Sequence, residues 1–111
     1  MIVEKRQLDG YTLLQIEGVI RLGESAAFFS QTLERVLAEE DDNVIIDFSK
    51  INYIDSTGIG ELVGYLGRFR DQERKLILVN PSERITKLLE VARLASLFPV
   101  YDTVERAMAQ E

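Results

Sequence analysis

Residues 53–60 read Tyr-Ile-Asp-Ser-Thr-Gly-Ile-Gly, and Asp55, Ser56 and Thr57 are the side chains best spaced for chemistry in this chain. They follow the apolar run at 44–48 and precede a helical pattern, so they fall where a loop turns into a helix. The unpaired backbone N–H groups and the positive dipole end at a helix start favour an anion. A hydroxyl at this point is therefore presented where a phosphate can be held. The plainer use of Asp55 or Ser56 is as an N-cap. Two hydroxyls and a carboxylate nevertheless crowd a position where one cap would suffice. Gly58 and Gly60 also occupy the first turn, although each costs about 1 kcal/mol of helix propensity against Ala. Glycine there leaves the backbone bare for a partner surface or ligand to approach, while Gly60 and Gly64 suit close packing of the helix on a sheet.

Other chemistries fail on residue type or spacing. With no Cys and no His, the chain lacks thiol nucleophiles, disulfides, Cys/His zinc sites and imidazole bases. Ser56 beside Asp55 has no intervening imidazole, so no catalytic residues are assigned and a binding module is expected rather than an enzyme. Gly58, Gly60, Gly64 and Gly67 do not form G-x-G-x-x-G, because Val63 stands at the third glycine, and no P-loop lysine follows. The Asp-Ser-Thr-Gly run differs from an aspartic protease signature by an extra residue and by its single copy. Glu39-Glu40-Asp41-Asp42 lacks the alternation and the glycine of a calcium loop, so it reads as a charged helix exit and no metal site is assigned. No cofactor is expected.

Composition narrows the partners. The 111 residues are 46% hydrophobic and 29% charged, the mix of an ordinary globular protein, and one domain spanning 1–111 is expected. A net charge of −6 repels nucleic acid. Arg68, Arg70, Arg74 and Lys75 are interleaved with Asp71 and Glu73, which reads as a solvated helix end. No apolar stretch approaches the roughly 18 residues that would span a membrane. The start MIVEKRQL has no signal-peptide layout, so no membrane insertion and a cytoplasmic location are expected.

The elements that position the site follow from hydrophobic period. Residues 2–5 lead to an Asp9-Gly10 turn, a hairpin signal. In the next strand Thr12, Leu14 and Ile16 alternate with Tyr11, Leu13, Gln15 and Glu17, giving one apolar and one largely polar face. Phe28, Phe29, Leu33, Val36 and Leu37 predict an amphipathic helix over 25–39. Val44–Phe48 reads as a parallel strand covered on both sides. Ile59, Leu62, Val63, Leu66 and Phe69 make the next helix, and Leu76–Val79 the next strand, joined by a right-handed crossover. Asn80-Pro81-Ser82-Glu83 reads as a helix start capped by Asn80, with Ile85, Leu88, Leu89 and Ala92 as the buried stripe. Phe98–Tyr101 is a short edge strand, since Pro99 cannot donate to a central ladder. Residues 102–105 cap a last helix reaching Ala109. The expected fold is α/β, a mixed sheet of four to five strands with interleaved helices.

The segment from VIIDFSKINYIDSTGIG through LILVNPSERI to LFPVYDTVERAM resembles the anti-sigma-factor antagonist family, built on the STAS domain. The resemblance covers residues 8–109. It implies a phosphorylation switch. The unphosphorylated form would bind a serine-kinase anti-sigma factor and so free a sigma factor. That kinase, bringing its own ATP and Mg²⁺, would phosphorylate Ser56, the serine after the aspartate, and a metal-dependent serine phosphatase would reverse it. The family preference alone sets Ser56 ahead of Thr57, for both hydroxyls sit in one turn. Asp55, Thr57, Gly58 and Ile59 would form the contact surface with Ser56. Arg21, Gly23 and Glu24 would join it from the loop after the second strand. Many family members carry an acidic residue where this chain has Arg21, and Glu24 is the nearby substitute. The alternative is a STAS subunit that docks constitutively on a transporter or stress-sensing complex without phosphorylation.

The switch has a physical basis apart from the family. A phosphoserine carries close to two negative charges. At a helix start it gains about 0.3–1 kcal/mol from the dipole, so the domain stays folded. A facing carboxylate about 4 Å away across an interface costs about 4 kcal/mol per charge pair, roughly a thousandfold in affinity. Interface repulsion is thus the larger effect.

Overall fold

The computed structural model describes residues 1–109. Strands β1 (Ile2–Leu8) and β2 (Tyr11–Ile20) form an antiparallel hairpin, with Gly10 supplying the positive φ of 78° that its two-residue turn requires. Helix α1 (Glu24–Glu39), strand β3 (Asn43–Ile54), helix α2 (Ser56–Asp71) and strand β4 (Leu76–Val79) follow. Helix α3 (Glu83–Val91), a 3-10 turn (Ala95–Leu97), strand β5 (Val100–Tyr101) and helix α4 (Val104–Ala109) complete the chain. The five strands lie in chain order, antiparallel between β1 and β2 and parallel from β2 to β5. This is the expected mixed α/β sheet.

The main core lies on the face covered by α1, α2 and α3, around Phe29, Phe48, Phe69, Leu14 and Ile46. A smaller cluster fills the opposite face, where Ala107 of α4 packs against Leu13, Ile45, Ile77 and Val79. Leu13 is therefore buried, whereas the alternation in the second strand placed it on the largely polar face. The polar reading holds only farther along, at half-exposed Gln15 and exposed Glu17. Phe28, expected in the α1 stripe, is 45% exposed and Ala26 takes the inward position.

Strand β3 runs six residues past the expected end. Its front-face residues Val44, Ile46 and Phe48 are spaced by two, but Ile51 and Ile54 follow at intervals of three. Two register shifts against β2 account for this, each inserting an extra β3 residue that resets the alternation. The long strand carries Asp55 to the end of the sheet, where Asp55 N–H bonds the Ile20 carbonyl.

Two further expectations are corrected. Asn80 is not the cap of α3. It adopts φ 52° and gives its N–H to Tyr101 O at 2.8 Å in the sheet, which leaves Ser82 to cap Ile85 N–H at 3.2 Å. Ala92 is exposed because α3 ends at Val91, so Ile85 and Leu89 carry the buried stripe.

Candidate functional site

Asp55 is the N-cap of α2 and organises this end of the molecule. One carboxylate oxygen accepts from Gly58 N–H at 3.0 Å, closing the first turn. The other accepts from Leu22 N–H at 2.8 Å, tying the β2–α1 loop to the same junction. These two N–H groups, Gly58 first, hold the Asp55 carboxyl below its ordinary value of 3.8. With each oxygen accepting from a backbone amide, the carboxylate orders the junction between α2 and the β2–α1 loop.

The loop is further fixed by Ser25, whose Oγ accepts from Arg21 N–H at 2.9 Å and donates to Arg21 O at 3.1 Å. Gly23 stands before α1 with φ 114° and ψ −144°, backbone open essentially to glycine. Arg21, Leu22, Gly23 and Glu24 are all exposed. Ser56, the first residue of α2, is exposed beside them, and Thr57 is half-buried. Arg21, Gly23, Glu24 and Asp55 to Ile59 thus meet at one end of the sheet.

Within that group the inward residues are explained by packing. Gly58 is buried, and a Cβ there would lie 2.7 Å from both Ile20 Cγ2 and Ile54 Cγ1. Glycine at this position admits the protein's own core, in place of the external approach read from the sequence. Ile59 packs against the main core. Gly60 and Gly64 show the reverse: both are exposed, with nothing within 4 Å of a built Cβ, so they are not helix-to-sheet contacts. The open part of the site is Arg21 to Glu24, Ser56 and the Gly60 flank of α2.

Sequence reasoning overlooked Leu22, which is 78% exposed at the tip of the loop. An apolar side chain between Arg21 and Gly23 in a turn was the available signal. Phe28 and Met1, also exposed, line the same shallow groove with Arg21 and Glu24.

Residues 3–107 match the family model described as STAS domain. The anti-sigma-B factor antagonist of Staphylococcus epidermidis is 31% identical over 87 residues, covering 75% of this chain and 81% of that protein. Among solved structures, an anti-sigma factor antagonist from Mycobacterium paratuberculosis superposes with a TM-score of 0.83 at 19% identity, covering 96% of this chain and 90% of that one. The Bacillus cell fate determinant SpoIIAA in its phosphorylated form gives 0.73 at 16% identity, covering 96% of each chain. A sulfate transporter family protein from Wolinella succinogenes gives 0.72 at 20%, covering 90% of this chain and 83% of that one. At these identities the structural likenesses carry the fold.

Proposed function

The chain belongs to the STAS domain family, and on that premise we propose that it is an anti-sigma factor antagonist switched by phosphorylation of Ser56. The unphosphorylated face binds a serine-kinase anti-sigma factor and frees the sigma factor it held. Phosphate on Ser56 ends that binding, and a metal-dependent serine phosphatase restores it. The place of action is the cytoplasm, where such a kinase finds ATP and Mg²⁺. This chain contributes recognition and the acceptor hydroxyl, while the phosphoryl chemistry belongs to the partner.

The observation that carries the reading is an exposed Ser56 hydroxyl at the first position of α2, beside a loop pinned to it by Asp55. A kinase can reach such a hydroxyl without unfolding the domain. The pinned loop presents Arg21, Leu22 and Glu24 in a fixed relation to it, as a docking surface requires. Added phosphate meets the helix dipole favourably within the chain, so its unfavourable interactions arise across the interface. The name of the Staphylococcus relative supports the anti-sigma partner.

The test is titration of a kinase-type anti-sigma factor with three forms of the protein. Ser56→Ala should bind like the unmodified chain and take up no phosphate from ATP. Ser56→Glu should bind at least tenfold more weakly, a fraction of the effect of a doubly charged phosphate facing a carboxylate. Equal affinity of the two variants rejects the switch. It would favour constitutive docking on a membrane complex, the reading suggested by the Wolinella likeness and by Arg21.

A further inference from the structure

The sheet has two edges, and they differ. Strand β5 is two residues long and follows Pro99, features that discourage further pairing. Strand β1 is seven residues long, has no proline, and ends the sheet. Which of its backbone groups face outward follows from the hairpin. Leu8 and Tyr11 flank the two-residue turn and form its closing hydrogen-bonded pair. Alternation then commits the backbone groups of Arg6, Glu4 and Ile2 to β2 and turns those of Val3, Lys5 and Gln7 outward. The Ile20 carbonyl, which points to β3 and accepts from Asp55 N–H, has the parity in β2 that this requires.

The side chains divide in the same way. Val3 packs toward the main core, and Lys5 on that face holds Glu40 at 3.0 Å. Ile2, Glu4, Arg6 and Leu8 stand on the other face, with Ile2 58% exposed.

We infer that β1 is a self-pairing edge, through which two copies of this chain join antiparallel about a two-fold axis at Lys5 into one continuous sheet. In that register Lys5 faces Lys5 and Val3 faces Gln7, so the outward backbone groups of both copies find partners. On the opposite face Glu4 opposes Arg6 and Ile2 opposes Leu8, each twice by symmetry. Opposite charges directly across a sheet stabilise it and like charges destabilise it. Sliding the pair by two residues in either direction sets Glu4 against Glu4 or Arg6 against Arg6, and parallel in-register pairing sets like against like throughout. The one like-charge meeting, Lys5 with Lys5, is relieved by Glu40 on each copy. The charges that would deter a foreign strand therefore admit a second β1 in one register. Ile2 pairs with Glu17, near the end of β2 that leads to Asp55. An antiparallel pair therefore points its two Ser56 surfaces to opposite ends of the joined sheet and leaves both open.

Sedimentation of the whole chain over a concentration series tests this. Dimers are expected, and Glu4→Arg or Arg6→Glu alone should each weaken self-association about tenfold or more. An equimolar mixture of the two variants should recover the dimer, because every Arg then faces a Glu. Should either variant fail to fold, Lys5→Pro removes an outward N–H together with the exposed Glu40 ion pair and should give a folded monomer. A wild-type monomer at its highest soluble concentration, a dimer that neither reversal weakens, or failure of the mixture to rescue would each overturn the assignment.

Discussion

A single charged side chain orders the backbone beside each end of helix α2, and the two make an instructive pair. Asp55 caps α2 itself, whereas Arg74 bonds the end of α1 and the loop after it. At its start the Asp55 carboxylate accepts from two backbone N–H groups, one of its own helix and one of the β2–α1 loop. Just past its end the Arg74 guanidinium donates to the carbonyls of Asp42 and Leu37, each at 2.9 Å, and lies over the Phe69 ring at 4.6 Å. Both devices satisfy backbone groups left over where elements stop. Arg74 is only 6% exposed and closes its end against the core, whereas the Asp55 end leaves Ser56 and the loop residues at the surface. The Arg74 end is closed by packing, whereas the Asp55 end is hydrogen-bonded into place and still exposed.

The largest effect expected from this contrast is at the closed end. Replacing Arg74 by Met keeps much of the apolar stem but strips donors from buried carbonyls. A loss of about 3 kcal/mol is expected in chemical denaturation, with partner affinity of the folded protein unchanged. An equal loss of affinity would show that the two ends are mechanically coupled through α2.

A smaller effect separates the two glycines in the first turn of α2, one facing the core and one facing open space. At Gly58 a Cβ meets the fully buried Ile20 and Ile54, so Gly58→Ala should destabilise by about 1–3 kcal/mol despite better helix propensity. It should also weaken partner binding by shifting the start of α2 against the loop. Gly60→Ala meets open space and should stabilise by about 1 kcal/mol in the same unfolding experiment. Similar behaviour of the two variants would break the distinction between an inward and an outward glycine.

Much of this was legible in the sequence because period and composition agreed. β4 lies at the expected residues, and Pro99 correctly marked a short edge strand. The rest depended on contacts that no local pattern records. The β3 bulges shift the apolar spacing from two to three, so the strand's alternating signature breaks off at Phe48. Asn80 had the residue type of a cap, but the sheet had already taken its N–H. Arg74 stood in a charged run and read as solvated. Its partners at Leu37 and Asp42 are distant in sequence, and only the folded chain reveals burial. At the candidate site the Asp55–Gly58 cap was legible as local chemistry. The link to Leu22 and the packing reason for Gly58 both needed the tertiary fold.

The smallest expected effect is a difference in pH response between the two ends. Asp55 has its folded pKa lowered below 3.8 by the Gly58 and Leu22 amides. Its contribution to stability is therefore fully present above the unfolded value and is lost as pH falls through the folded one. The stability gap between wild type and Asp55→Asn should stay constant from neutral pH down to about pH 5, then close in stronger acid. The protection factors of the Leu22 and Gly58 amides, taken relative to the intrinsic exchange rate at each pH, should fall over the same interval in the wild type and show no such step in the variant. Burial lowers the Arg74 pKa, yet a guanidinium remains charged throughout that range, so its carbonyl contacts should be indifferent to the acid. If the Leu22 amide keeps its protection while Gly58 loses it, the loop has a second anchor, with the Ser25–Arg21 bonds as the first place to look.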